Sequence, residues 1–429
     1  MTAMSSIADE AMAAARMPRF EDGSINLQEL LRQLAESVVN EIMSAEADQL
    51  CGATGNSRNG YRERALVTCV GTLTLRIPKL RSGSFFPDDV LERYQRVDRA
   101  VVAAVAEMYA TGTSTRKVQK VAAAMGIERL SRDQVSAICA SLDADVEELA
   151  ARPLGALDMP YLWIDATYVK CRREGHVAST AVATAIGCDS DGWRHVLGIG
   201  VVDTESYDSW SAFLRGIRAR GVRGVRLVTS DAHEGLRRAV EEEFQGAAWQ
   251  RCVVHLMRDC ARAAGSRRLA KRVCRIVAPV FRLKEAGAVR AAYHIAVDML
   301  EGCCPEAARI LEEAEPDALA YLDFPASHWK RLRTNNLQER TNREIKRRSR
   351  VVQVFPSAAS LERLAGAVMC DQDDAWSASR YFSEKAMAEL CGEGPVGEPP
   401  TEEQAAVFRL VAQRAIDASL ELADKLEAA

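Results

Sequence analysis

Three acidic residues, far apart along the chain, sit in surroundings that suit chemistry better than solvation. Asp165 lies in the middle of Tyr161–Val169 (YLWIDATYV), an apolar, β-branched and aromatic run that reads as a buried strand. Asp is depleted in strands, and a buried carboxylate is costly unless it is paired or bound to a metal. Asp231 follows a second buried run, Val225–Thr229 (VRLVT), and stands just before a helical stretch. In sheets covered by helices, ligands gather at such carboxyl ends of strands. If the two strands are parallel neighbours, both carboxylates face one point. Glu339 belongs to a helix expected from about Asn335 to Val352. At the helical step of about 100° per residue, Glu339, Arg343, Lys346 and Arg350 share one stripe, with Leu337, Ile345 and Val352 on the opposite side. The helix thus offers an acid followed by a basic row about 17 Å long at the helical rise, and Arg340 and Arg347 add to its positive charge. A plainer reading of this helix alone is an exposed one with ordinary salt bridges.

Hard divalent cations take oxygen ligands, typically one or two carboxylates plus substrate phosphate. Three carboxylates at a two-metal centre suit in-line displacement at phosphorus: one ion activates the attacking oxygen, from water or a DNA 3′-hydroxyl, and the other stabilises the leaving oxygen. The expected metal is Mg2+, with Mn2+ as a substitute, held by Asp165, Asp231 and Glu339, and the DNA backbone is expected along Arg340, Arg343, Lys346, Arg347 and Arg350. Other candidates carry less. Cys252 and His255 have Cys-x-x-His spacing, half of a zinc site; one pair cannot complete a tetrahedral site, and Cys260 is a poor third ligand, so a structural or site-shaping role is expected. His233, two residues after Asp231, is expected near the site, although no general base is needed where metal activates the nucleophile. Trp249 and Trp329 are read as packing residues, since aromatics mostly fill cores. A Gly-x-x-x-x-Gly-Lys phosphate loop and a Gly-x-Ser-x-Gly elbow are both missing from the sequence, so neither ATP-driven nor serine-hydrolase chemistry is supported. Gly198-Ile199-Gly200 is too short for a dinucleotide fingerprint.

The elements that must position these residues follow from the pattern. Residues 160–255 read as strand, strand, strand, helix, strand, helix, strand, with a turn at Asp189-Ser190-Asp191-Gly192. The fold class is α/β. Ahead of this part, Asn26–Leu50 has helical spacing, residues 52–62 are loop-like, and Thr68–Pro78 alternates as a strand or hairpin. Three helices are expected over 98–142: Val101–Thr111, Ser114–Met125 ended by Gly126, and a third opened by the capping-box pattern at Ser131. Helix, short turn, helix is the outline of a DNA-binding helix-turn-helix, or of a plain helical bundle. Residues 256–323 are almost wholly helical, PASHW (325–329) breaks the pattern, 358–391 read as helix again, and GEGPVGEPP (392–400) is a linker to a terminal helix. The expected divisions are 1–97, an N-terminal helical and hairpin region for DNA binding; 98–155, the helix-turn-helix-like region; 156–255, the first part of the core; 256–325, a helical insertion; 326–391, completion of the core with the Glu-bearing helix; and 392–429, linker and C-terminal helix.

Composition bounds the rest. The 429 residues are 48% hydrophobic and 27% charged, ordinary for a globular protein of two or three domains. No apolar run approaches a membrane span, and the first residues lack a basic start before an apolar stretch. Twelve cysteines without Cys-x-x-Cys spacing point to a reducing, cytoplasmic compartment. Net charge is −4, yet residues 251–290 hold eleven Lys/Arg against two acids and 331–350 hold eight against two. Such segregation makes a surface that attracts a polyanion, or else solvated helix faces.

The stretches NGYRERALVTCVGTLTLRIPKLRSGSFFP (59–87), WIDATYVK (163–170), VTSDAHEGL (228–236), WQRCVVHLMRD (249–259) and RTNNLQERTNREIKRRSRVVQVFP (333–356) resemble, in order and spacing, the bacterial Mutator-type insertion-sequence transposases. The resemblance spans about residues 30–385. It implies a ribonuclease H-like core (a mixed five-stranded sheet with helices) with an Asp-Asp-Glu triad at Asp165, Asp231 and Glu339, interrupted by an all-α insertion, and a Cys-x-x-His signature at Cys252 and His255. It also implies mainly helical terminal regions, the N-terminal one taken to bind terminal inverted repeats. Thr341 departs from the Leu often found there, on the packing side of the helix. The expected activity is metal-dependent cleavage and strand transfer of double-stranded DNA, at the inverted repeats and at the target. A homodimer or higher assembly on DNA, nucleoid-associated and without a membrane partner, is expected from the resemblance. A nuclease without strand transfer and a non-catalytic DNA-binding regulator are the alternatives.

Overall fold

The computed structural model describes residues 17–87, 97–125, 127, 135, 138–139, 142–156, 158–202, 206–391 and 400–428. They fall into two compact units, Met1–Asp143 and Ala144–Ala429. In the first, helix α1 (Leu27–Thr54) starts where Asn26 accepts the Glu29 backbone N–H at 3.0 Å and stops at Gly55 in the left-handed region. Its buried Met43 and Ala47 cover a hairpin of β1 (Arg58–Thr68) and β2 (Gly71–Leu80), from which Leu73, Leu75 and Ile77 point inward at the period of two that a half-buried strand requires. The loop expected over 52–62 is therefore strand from Arg58 onward. Two further helices, α2 (Arg99–Ala110) and α3 (Thr115–Ala124), join through Gly112, and Ser114 caps the second. Val101, Val105, Val118 and Ala122 pack together with Ile127, Val135, Ile138 and Cys139. The Gly126 stop and the capping pattern of residues 131–134 lie outside the described residues, as do 1–16 and most of the linker, 392–399.

The second unit opens with α4 (Leu142–Ala151), which begins at the division between the units. Next comes an antiparallel meander of β3 (Tyr161–Arg173), β4 (His176–Cys188) and β5 (Arg194–Val202). The first reversal uses Glu174 and Gly175 at positive φ, the second the expected Asp189–Gly192 turn, where Asp189 accepts from the backbone N–H groups of Asp191 and Trp193. Helix α5 (Tyr207–Ala219) then carries the chain across to β6 (Leu227–Ser230), and α6 (Glu234–Glu243) carries it on to β7 (Ala248–Arg251). Parallel strands need such crossovers. The sheet is mixed, five-stranded and ordered β5-β4-β3-β6-β7, and with its many helices it makes this unit α/β as expected. Alternation along β3 splits its side chains: Leu162 and Ile164 join Trp210, Leu214, Leu236 and Val240 under α5 and α6, and Tyr161, Trp163 and Asp165 take the other face.

Beyond β7 the chain is helical: α7 (Val253–Arg262), α8 (Arg267–Val277), α9 (Ala286–Glu301) and α10 (Pro305–Ala318). The short α11 (Trp329–Leu332) leads into α12 (Asn336–Val352), followed by α13 (Ala358–Ser377) and α14 (Glu384–Cys391). The last helix, α15 (Glu402–Ala428), returns to the α8–α9 region, burying Ala412 and Ile416, and its Ser419 hydroxyl donates to the Arg275 carbonyl at 3.0 Å. Helix α13 is bound to the sheet edge by Asp373, which accepts from the Val196 N–H at 2.7 Å. The PASHW break anchors the second face of the sheet: His328 is fully buried, 2.6 Å from the Tyr161 hydroxyl, and burial holds its imidazole below the usual range. No helix among the described residues is long and apolar enough to cross a membrane.

Candidate active site

Strands β3 and β6 run parallel, in the register Tyr161↔Leu227, Leu162↔Val228, Trp163↔Thr229. Asp165 and Asp231 each stand two residues beyond the last of these pairs. Residues two apart share a face of a strand, so both acids leave on the side of Trp163 and Thr229. That side is set by bonds to one segment: Trp163 Nε1 donates to the Arg331 carbonyl at 3.2 Å and Thr229 Oγ1 to the Leu332 carbonyl at 2.8 Å. Neighbouring strands lie about 4.8 Å apart, so the two acids issue from adjacent segments of the sheet. Asp165 is buried, and its oxygens are spoken for: Oδ1 accepts from the Ala166 N–H at 2.9 Å and Oδ2 from Asn342 Nδ2 at 2.7 Å.

Asn342 lies on α12, three residues after Glu339, and side chains at that spacing are neighbours on a helix. Helix α12 is fastened over β3 by a buried polar stripe that also includes Asn335, donating to the Ile164 carbonyl at 3.0 Å, and Gln338, donating to the Trp163 carbonyl at 2.7 Å. Glu339 sits at the border between this stripe and the exposed side of the helix. Thr341 is buried and donates to Gln372 Oε1 at 2.6 Å, on the packing side as expected.

Asp231 and Glu339 are tied together from α7. His255 Nδ1 lies 2.5 Å from Asp231 Oδ1, and its Nε2 lies 3.9 Å from Glu339 Oε1. Arg258, one turn further along the same helix, reaches both partners, with NH2 2.8 Å from Glu339 Oε1 and NH1 2.8 Å from His255 Nε2. Burial would push the His255 imidazole down, but Asp231 and Cys252 pull it up to about 10, which favours a proton on each ring nitrogen. A guanidinium donor 2.8 Å from Nε2 requires an acceptor there, and a ring proton would meet it head on. The geometry therefore places the proton on Nδ1, toward Asp231. Cys252 is fully buried and its Sγ accepts the Asn335 backbone N–H at 3.2 Å.

Arg340, Arg343, Lys346, Arg347 and Arg350 are all exposed on α12. Arg343, Lys346 and Arg350 make no ion pair among the described residues, whereas Arg347 is held by Glu344, with NH2 2.6 Å from Oε1. Glu344 also receives the buried Arg348, and the two guanidinium groups hold its carboxyl down at about 2. His233 serves as the N-cap of α6, its Nδ1 accepting the Leu236 N–H at 3.4 Å. Trp249 and Trp329 are buried, and their ring N–H groups donate to Ser230 Oγ and the Phe324 carbonyl, so both pack as expected. Sequence reasoning missed Arg258, Asn335, Gln338 and Asn342. The available signal was spacing: Arg258 falls at i+3 from His255, and Asn335, Gln338 and Asn342 share one side of a helix.

The sequence falls in a class of DNA-mobilising enzymes: the sequence model of the family described as "Transposase, Mutator family" matches residues 8–379. The chain belongs to that family. It is 40% identical over 362 residues to the transposase for insertion sequence element IS1081 of Mycobacterium tuberculosis, covering 82% of this chain and 87% of that one. It is 35% identical over 363 residues to the transposase for IS256 in transposon Tn4001 of Staphylococcus aureus (83% and 92%), and 36% identical over 381 residues to that for IS406 of Burkholderia multivorans (86% and 96%).

Proposed function

We propose that this transposase binds the inverted-repeat ends of an insertion sequence and catalyses metal-dependent cleavage and strand transfer of DNA through Asp165, Asp231 and Glu339. The reading includes a ribonuclease H-like core, built from 156–255 and 326–391 and interrupted by a helical insertion over 256–325, with DNA binding by the regions 1–97 and 98–155 and a dimer or higher assembly on DNA. What supports it is the parallel β3–β6 register, from whose last pair Asp165 and Asp231 each follow by two residues, with Glu339 one helical turn from the amide that holds Asp165.

The residues suit a hard cation. The donors are carboxylate oxygens, and Asp231 Oδ1 is buried with His255 Nδ1 against it at 2.5 Å. When bound, a pair of Mg2+ ions, for which Mn2+ substitutes, would activate the attacking oxygen and stabilise the leaving one. The protein's own groups do the rest. Asn342 and the Ala166 N–H fix the Asp165 carboxylate, Gln338 and Asn335 fix the helix that brings Glu339, and His255 orients Asp231. The exposed row of Arg340, Arg343, Lys346 and Arg350 runs from Glu339 as a track for a phosphate backbone, joined by Arg347 once it exchanges Glu344 for phosphate. An exposed ion pair of that kind is weak, so the exchange costs little.

A strand-transfer assay with end-sequence oligonucleotides and magnesium tests the reading. Cleavage and joining are expected. Cleavage without joining would make the protein a nuclease, and binding alone would make it a regulator.

A further inference from the structure

Among the described residues, one set of three metal-ligating side chains converges within 4.8 Å: Asp231, Cys252 and His255. In the sequence, Cys252 and His255 are half a site. The fold supplies the third donor, because β6 and β7 are paired through Ser230↔Arg251 and so place Asp231 beside the first turn of α7. We propose that Asp231, Cys252 and His255 form a site for a borderline-soft divalent cation, of which Zn2+ is the type, and that this ion inhibits the transposase by occupying Asp231.

The donor set argues for it. Mg2+ takes oxygen ligands and leaves thiolate alone, whereas Cys, His and Asp together are a zinc set. Three protein ligands leave a fourth tetrahedral position open, the arrangement of an accessible site. Asp231 Oδ1 and His255 Nδ1 are both buried and face each other at 2.5 Å, with no other hydrogen-bond partner for either atom among the described residues. A cation would need them about 3.3 Å apart, as two donors at about 2.0 Å in a tetrahedron, a shift of less than an ångström. The surroundings suit the bound form. The Asn335 N–H already donates to Cys252 Sγ, as backbone amides do to metal-bound thiolates, and α12 fixes it there. With Nδ1 on the ion, the ring proton moves to Nε2 and faces Glu339 Oε1, now 3.9 Å away, in a carboxylate–histidine–metal arrangement. Arg258 then gives up its place against the ring. Cys260 takes no part: it is fully buried, and burial pushes its thiol up to about 12.

Occupancy of the site does not depend on the magnesium reading, but its inhibitory consequence does, because it rests on Asp231 being a magnesium ligand. The probe is Co2+ added to the full-length protein without magnesium or DNA. A near-ultraviolet thiolate-to-cobalt band saturating at one equivalent is expected in the wild type and in Asp165→Asn, and Cys252→Ser is expected to lose it. No band in the wild type, or a band that persists in Cys252→Ser, would overturn the site. Should Cys252→Ser fail to fold, zinc-edge X-ray absorption of the wild type decides: one sulfur among nitrogen and oxygen neighbours supports the site, and a sulfur-free or sulfur-only shell rejects it. For inhibition, magnesium-driven end cleavage is expected to fall at least tenfold with one equivalent of Zn2+ and to recover on chelation of Zn2+ with excess Mg2+ present. A cobalt band without zinc inhibition would leave the binding site standing and remove its inhibitory role.

Discussion

Asn342 donates its side-chain amide to Asp165 Oδ2 at 2.7 Å, a bond that joins helix α12 to strand β3. The bond fixes the carboxylate that lies deepest in the sheet from the helix that carries Glu339, so the two acids cannot drift independently. If Asp165 holds metal as proposed, Asn342→Ala is expected to lower the cleavage rate about 10- to 100-fold and to raise the magnesium concentration for half-maximal rate, as loss of a partner behind a metal ligand does. End binding should hold. A purely structural role would lower stability and leave the magnesium dependence where it was.

The three acids themselves give the sharper test. Asp165→Asn, Asp231→Asn and Glu339→Gln preserve shape and remove charge, and each is expected to abolish cleavage and joining while end binding, read by mobility shift, persists. Near-normal cleavage by any one of them would end the triad reading.

Much of this architecture is written in local pattern. The β3 run, the Asp189–Gly192 turn and α12 fall within a few residues of their sequence-read bounds because burial on one or both faces leaves a periodic apolar signature. Strand β1 leaves none: most of its residues are exposed, Gly60 adopts positive φ, and only pairing with β2 makes it a strand. Residues 358–391 read as helix, yet Tyr381 and Phe382 interrupt it, their rings set edge-on or tilted against Trp163, Tyr161 and His328. Those partners are far away in sequence, so no local rule finds them. The same holds for the site. The carboxylates are visible as misplaced charges, but the polar stripe of Asn335, Gln338 and Asn342 looks like any solvated helix face until β3 supplies its carbonyls.

Arg258 pairs with Glu339, NH2 lying 2.8 Å from Oε1, and so occupies the carboxylate that the proposed triad would use. Arg258→Ala is expected to lower the magnesium concentration for half-maximal cleavage several-fold, because a competing positive charge has gone. An unchanged or raised requirement would mean that Arg258 supports the acid instead of competing for it.

Arg343 and Arg347 separate two kinds of basic residue on one helix. Both substitutions to alanine should weaken DNA binding and flatten its dependence on salt, since each phosphate contact contributes a slope of roughly one. Arg343 has no ion pair among the described residues, so its full contribution is available to DNA, while Arg347 must first leave Glu344. The affinity loss should be larger for Arg343→Ala. Identical salt slopes in wild type and Arg343→Ala would take α12 off the DNA path.

Glu344 supplies a pH test of how that helix is held. Its carboxyl titrates at about 2 in the folded chain, below the ordinary value of 4.5, because Arg347 and Arg348 bind the ionised form. A depressed folded pKa means stability that is fully present above pH 4.5 and is lost as pH falls from there through about 2. Glu344→Gln has no such group to protonate. The thermal midpoint of the variant should lie below that of the wild type at neutral pH, and the two should converge between pH 4.5 and 2, the wild type falling more steeply. Arg348 keeps Asp371 at 2.9 Å in the variant, which limits the loss at neutral pH. Parallel acid limbs for the two proteins would show that the Glu344 pairing is decorative and that α12 is held by its polar stripe alone.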